Sequence, residues 1–190
     1  PKFRNRPPVF PGLTDTRTQW KGAEGLAADV RAYGLWLRDE AQQRIGHLYP
    51  DATLPDGTGA KVIAWIWART VTCPNPACGI EMPLVRSWWL GKRKGKEAYV
   101  IPSVVADASH PSTRRVEFAI DHDPRGAPTA STDGTVTRTG AVCLACQGSV
   151  PLTYIRAEGK AGRLGETLMA VVAEGSRQRI YLPATDEHRV

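Results

Sequence analysis

The chain holds four cysteines, in two tight pairs: Cys73-Pro74-Asn75-Pro76-Ala77-Cys78-Gly79 and, sixty-odd residues later, Cys143-Leu144-Ala145-Cys146-Gln147-Gly148. No other feature restricts the fold as strongly. A short loop with a thiolate at each end presents two sulfurs to one side, and two such loops close a tetrahedral four-sulfur shell round a single zinc ion. Four residues separate Cys73 from Cys78 and two separate Cys143 from Cys146, the two ends of the usual knuckle spacing. Pro74 and Pro76 stiffen the first loop. Gly79 and Gly148 follow the pairs, where the chain must turn sharply for backbone N–H groups to point at the sulfurs. Cys73, Cys78, Cys143 and Cys146 are therefore the expected ligands of a structural zinc of the ribbon type. Disulfides, a redox Cys-x-x-Cys and buried free thiols are the competing readings. No leader is recognisable at the N-terminus, which leaves an oxidising compartment without support and points to the cytoplasm. A redox pair leaves Cys73 and Cys78 unexplained. A shell of four sulfurs has no open position, so the same reading argues against zinc catalysis.

At 190 residues the chain is one medium domain or two small ones, long enough for a core. Its formal charge of +6 leans towards a polyanionic partner. No run approaches the roughly twenty apolar residues of a membrane span, so no membrane partner is expected. The chain opens on Pro1-Lys2-Phe3 without an initiating Met, which reads as a piece of a longer protein.

Residues 1–19, rich in Pro, Arg and Thr, read as an extended linker or strap. Residues 20–57 form a helical segment. In it Leu26, Val30, Tyr33, Leu37, Ala41, Ile45 and Leu48 recur at steps of three and four, with Asp29, Arg38, Asp39, Glu40 and Arg44 largely off the stripe. Tyr49-Pro50 ends the helix, and its stripe is expected to pack into a core. Residues 58–190 are the zinc-ribbon domain, with a β-rich insertion at 79–142. Val62 to Val71 is apolar on both faces, so it reads as a central strand that delivers Cys73 to the metal. Leu84 to Leu90 and Ala98 to Ile101 read as paired strands flanking the polar tip Gly91-Lys92-Arg93-Lys94-Gly95-Lys96. Val116 to Ile120 is a further strand, Asp121 to Asp133 a mobile loop, and Gly134 to Val142 the strand carrying the second knuckle. Pro151 to Ile155 reads as short and extended. Leu168 to Ala173, Gly175-Ser176 and Ile180 to Leu182 form a closing hairpin. The class is α+β: one long N-terminal helix and an antiparallel β zinc ribbon.

No catalytic set emerges. His47, His110, His122 and His188 are scattered and read as surface or loop residues, and no nucleophile elbow is present. Gly57-Thr58-Gly59 lacks the strand–loop–helix setting of a phosphate loop. The stretch Gly159 to Gly165, with Lys160 and Arg163, reads either as an anion cradle built from backbone N–H groups or as a hinge. The tip cations Lys92, Arg93, Lys94 and Lys96, with Arg86 and Trp88-Trp89 nearby, read either as a contact to a phosphate backbone or as a solvated turn above two core tryptophans. One of the two tryptophans is expected to face the core.

Several strings resemble the zinc-ribbon segment of the large adenine-specific DNA methylases. They are Trp65-Ile66-Trp67-Ala68-Arg69-Thr70-Val71, the first knuckle with Met82-Pro83-Leu84-Val85, Tyr154-Ile155-Arg156-Ala157-Glu158-Gly159-Lys160-Ala161-Gly162-Arg163, Ala173-Glu174-Gly175, and the helix end Arg44-Ile45-Gly46-His47-Leu48-Tyr49-Pro50. The resemblance covers nearly the whole chain. It implies a ribbon lying between two halves of a methyltransferase domain, with the S-adenosylmethionine loop before it and an Asp-Pro-Pro-Tyr motif after it. Neither is in this chain, and Asp123-Pro124-Arg125-Gly126 is no substitute. The resemblance therefore implies no catalytic residue here and no S-adenosylmethionine bound by the chain itself. Its implied partners are the flanking methyltransferase domain and, weakly and without sequence preference, DNA. One departure is Gln147, where the family knuckle carries Gly directly after the second cysteine. An autonomous zinc-dependent nucleic-acid or protein adaptor, and a small enzyme with an unrecognised site, are the alternatives.

Overall fold

The computed structural model describes residues 2–11, 13, 19–106, 114–175 and 178–189, in two compact units, Pro1–Pro50 and Asp51–Val190. His110 and Ser176 lie outside the described residues.

In the first unit, helix α1 spans Glu24–Ile45 and runs on as a 3-10 turn, Gly46–Leu48. The residues before it fold onto α1. Val9 and Phe10 both donate their backbone N–H to Asp29 Oδ1 at 2.8 Å, and Asn5 and Gly22 exchange two bonds of 2.8 Å. The Phe10 ring meets Tyr33 edge-on at 4.7 Å. Asp29, expected among the outward charges, is thus buried, because it satisfies two backbone donors of the strap. The apolar stripe is not buried within this unit. Val30 is 64% exposed and Leu37 59%, with Leu26, Tyr33, Ile45 and Leu48 also exposed.

The second unit begins with a small hairpin, β1 (Ala52–Thr53) and β2 (Gly59–Ala60). The segment Asp51 to Gly57, assigned from sequence to the helical part, therefore joins the β domain, since Ala52 and Ala60 are buried with Val62, Leu168 and Val171. In the turn, the Asp56 carboxylate accepts from Thr58 Oγ1 (2.6 Å) and Thr58 N (2.9 Å), so Gly57-Thr58-Gly59 is a self-satisfied Asx turn.

The main sheet is antiparallel, in the order β11–β10–β3–β4, with β3 Val62–Thr72, β4 Glu81–Leu84, β10 Gly165–Glu174 and β11 Arg179–Pro183. The strand read as central does lie inside the sheet, although Ile63 and Trp67 on one face remain 45% exposed. Leu168 to Ala173 of β10 is buried throughout, and the closing hairpin pairs Ala170 with Pro183 through Glu174 with Arg179. A second sheet pairs β5 (Trp89–Arg93), β6 (Lys96–Ala106) and β7 (Arg114–Asp121).

Two expected strands are broken. Leu84 to Leu90 is not continuous: β4 ends at Leu84 and β5 starts at Trp89. The intervening backbone is held by a distant loop. Thr135 N and Val136 N donate to Val85 O, Val85 N donates to Thr135 Oγ1, and the Asp133 carboxylate accepts from Ser87 Oγ and Trp88 N. Gly134, at φ +93°, passes so close that a Cβ would lie 2.5 Å from the carbonyls of Val85 and Arg86. These bonds replace strand pairing, so Gly134 to Val142 is not one strand either. The stretch folds back on itself, with Val136 bridging Ala141, and its last part, β8 (Gly140–Val142), pairs with β9 (Ser149–Pro151). Asp121 to Asp133, read as mobile, is tied down by Tyr99 Oη donating to Asp121 Oδ2 (2.8 Å) and Asp123 O (3.0 Å), besides the Asp133 bonds.

Of the stretch Pro151 to Ile155, only Pro151 is extended. Pro151 caps helix α2, Leu152–Lys160. A proline is tolerated at that end, where no intrahelical donor is lost. Tyr154, Ile155 and Leu164 pack against the buried cluster that includes Val71, Met82, Cys73 and Cys143. Burial against that cluster favours helix over the extended alternative.

Candidate metal centre

Each cysteine pair closes the end of an antiparallel hairpin. The β3–β4 ladder ends at Thr72 paired with Glu81, and Cys73 N then donates to Ile80 O at 2.8 Å. The β8–β9 ladder ends at Val142 paired with Ser149, and Cys143 N donates to Gly148 O at 2.9 Å. Two ladders built from strands far apart in sequence thus deliver four sulfurs to one place. Cys73 Sγ lies 3.7 Å from Cys146 Sγ, Cys78 Sγ lies 3.8 Å from Cys143 Sγ, and all four lie within 4.8 Å of one another. A covalent S–S bond is about 2.05 Å, so these are not disulfides. A tetrahedron with Zn–S bonds of about 2.3 Å has edges of about 3.8 Å, which these two pairs match. The donor set can hold a metal ion.

The surroundings act on the thiols in both directions. The Asn75 N–H points at Cys73 Sγ, those of Cys146 and Ala145 at Cys143 Sγ, and that of Gly148 at Cys146 Sγ. Burial pushes the Cys73 thiol up to about 12 and raises that of Cys143, whereas the Gly148 N–H draws Cys146 down to about 7. Buried thiolates need a counter-charge, and a divalent cation supplies it. Arg114 Nη2, 3.6 Å from Cys78 Sγ, adds a further positive group that the sequence spacing does not suggest. Tyr154 Oη donates to Thr72 O at 3.0 Å and ties α2 to the first knuckle.

The two knuckles share one backbone requirement. Gly79 has φ +56°, and Gln147, at the equivalent place after Cys146, has φ +58°. A non-glycine residue there costs roughly 1–2 kcal/mol, and the bond from Gln147 Nε2 to Leu144 O at 3.0 Å offsets part of it. The turn is therefore the same in both knuckles despite the glutamine. Gln147→Gly should raise stability by several tenths of a kcal/mol up to about 1 kcal/mol, read as a higher denaturant midpoint at unchanged metal content.

The stretch Gly159 to Gly165 is no anion cradle. Ala161 N, Gly162 N and Arg163 N are spent on Ala157 O, Gly159 O and Glu158 O as α2 ends. Arg163 forks onto Glu158 through two bonds of 2.7 Å, so its charge is engaged; Lys160 lies exposed at the end of α2. His188, read as a surface residue, is buried, and its Nδ1 accepts from Thr185 N and Thr185 Oγ1.

The tip of β5–β6 is narrower than its polar run suggests. Arg93 pairs with Lys96, so the turn is Lys94-Gly95, with Gly95 at φ +75°. Lys92, Arg93, Lys94 and Lys96 are exposed, as is Arg86 in the connector before β5. Trp88 is the tryptophan that enters the core. Trp89 is half-buried: its Nε1 donates to Pro128 O at 3.3 Å, and the Lys92 ammonium sits 5.4 Å from its ring centroid. Among the described residues no helix is long and apolar enough to cross a membrane. With the site's geometry established, comparison with known proteins adds no relative: no protein-family model, curated protein or solved structure matches the chain.

Proposed function

We propose that the four sulfurs bind one structural zinc and that the second unit is a zinc ribbon, a non-catalytic insert of an adenine-specific DNA methyltransferase that presents a basic hairpin to DNA. The observation that carries the metal reading is the convergence of four sulfurs within 4.8 Å of one another, two of the pairs at about the edge length of a zinc tetrahedron. Four sulfurs leave the ion no position for water or substrate, so the ion serves the fold. Cys73, Cys78, Cys143 and Cys146 would hold it, the knuckle N–H groups would orient the sulfurs, and Arg114 would offset the remaining negative charge. S-adenosylmethionine and the target base belong, on this reading, to the flanking domain that the resemblance implies.

The DNA contact rests on the charge state of the hairpin. Arg69, Arg115, Arg125 and Arg189 are each held by a carboxylate, whereas among the described residues no carboxylate pairs with Lys92, Arg93, Lys94 or Lys96. Such cations release counterions from a phosphate backbone and read no base edges, which gives weak binding that falls steeply with salt. Changing all four to Glu should weaken binding about equally for any duplex while metal content and fold stay intact. A salt titration of duplex binding tests this, and equal affinity and slope for native and four-Glu chains would leave the hairpin no part in binding DNA.

A further inference from the structure

We infer that the basic hairpin shares its contact with the edge strand β11, and that Lys94, Lys96, Arg179 and Tyr181 form a pocket for one unpaired nucleotide of a DNA strand. This rests on the reading of the hairpin as a DNA contact and gives that contact a form. The tip and β11 border an open cleft of about 700 Å³, lined among others by Pro55, Lys94, Lys96, His122, Arg179 and Tyr181. The two elements meet closely where Gly91 lacks a side chain: a Cβ there would lie 3.5 Å from Tyr181 Cε2.

Two kinds of group line this cleft. Lys94, Lys96 and Arg179 are exposed cations, and among the described residues no carboxylate pairs with any of them. The one acid on the lining is Glu97, whose backbone carbonyl accepts from His122 Nδ1 at 2.7 Å. Beside the cations lies the half-buried ring of Tyr181. A nucleotide combines a phosphate with a planar base, and cations next to an aromatic ring match both parts. In an intact duplex the base faces are stacked and closed to such a ring, so the pocket selects a strand with an unpaired base. Trp89 is the less suited platform, since Lys92 already lies over its ring.

The test uses the whole chain, a short single-stranded oligonucleotide carrying the fluorescent base 2-aminopurine, and the same sequence as a duplex. The single strand should bind more tightly than the duplex, with quenching of the base as it stacks. Tyr181→Leu should weaken single-strand binding about tenfold and abolish the quenching, with duplex binding little changed, and Tyr181→Phe should behave as native. Arg179→Gln should lower the salt slope for the single strand by about one. The pocket is overturned if the native chain binds duplex as tightly as single strand, if no quenching occurs, or if a folded Tyr181→Leu chain binds the single strand as native does. If Tyr181→Leu fails to fold, quenching in the native chain and the Arg179→Gln slope decide. A native chain that binds neither nucleic acid would remove the hairpin reading itself, whereas loss on the four-Glu chain without any effect of Tyr181 would leave that reading and remove the pocket.

Discussion

Cys143→Ser should abolish metal binding and unfold most of the second unit. Structural zinc in small finger peptides supplies about 10–16 kcal/mol, as large as the 5–15 kcal/mol by which a typical domain is stable. Cys143 is 0% exposed and shares its cluster with Val71, Met82 and Val150, so the serine hydroxyl would also be buried where a sulfur stood. The same result should follow from Cys73→Ser, Cys78→Ser or Cys146→Ser, and from a strong chelator acting on the native chain. Because the thiols must shed protons to bind, metal should also be released as the pH falls. The strap that precedes helix α1 contacts it through Asp29 and Tyr33, without the cysteines, and the helix should keep its share of the helical circular dichroism. Elemental analysis and chemical denaturation read both effects. Purified protein without zinc, its thiols joined in disulfides, would end the zinc assignment.

Trp88→Ala should cost about 3–5 kcal/mol, the range for emptying a buried aromatic site. Trp88 is 3% exposed and packs with Ala68, Val100 and Met169, its ring 6.5 Å from that of Phe118. This cluster joins the two sheets, since Ala68 and Met169 belong to β3 and β10 and Val100 and Phe118 to β6 and β7. Trp89→Ala should cost far less, roughly 1–2 kcal/mol, because it forfeits one hydrogen bond, a contact with the Tyr99 ring at 5.7 Å and an exposed cation–π pair. Denaturant midpoints of the two variants measure the difference. Equal losses would mean that the neighbouring tryptophans share one environment.

The sequence by itself determined the features that depend on neighbours a few residues apart. The cysteine spacings predict two knuckles, and two knuckle turns form. The apolar run of β3 predicts an interior strand, the polar tip predicts the β5–β6 hairpin, and the periodicity of α1 and the alternation around Gly175 predict a helix and a closing hairpin. Local backbone preference and side-chain periodicity decide such elements, and both are visible in a short window of residues.

Tertiary structure decided the rest, through partners that no local window contains. Thr135 and Asp133 break the strand expected from Leu84 to Leu90, and they act from some fifty residues away. The segment after Pro151 becomes a helix because Tyr154, Ile155 and Leu164 find the cysteine cluster to pack on. Once that helix forms, its last turn consumes the N–H groups that Gly159 to Gly165 would have offered to an anion. Arg114 at Cys78, Asp29 beneath the strap, and Arg179 with Tyr181 beside the hairpin tip are likewise set by chain crossings. A buried donor, acceptor or charge takes whatever partner the fold brings within about 3 Å, and the penalty for leaving it unpaired makes that choice override local propensity.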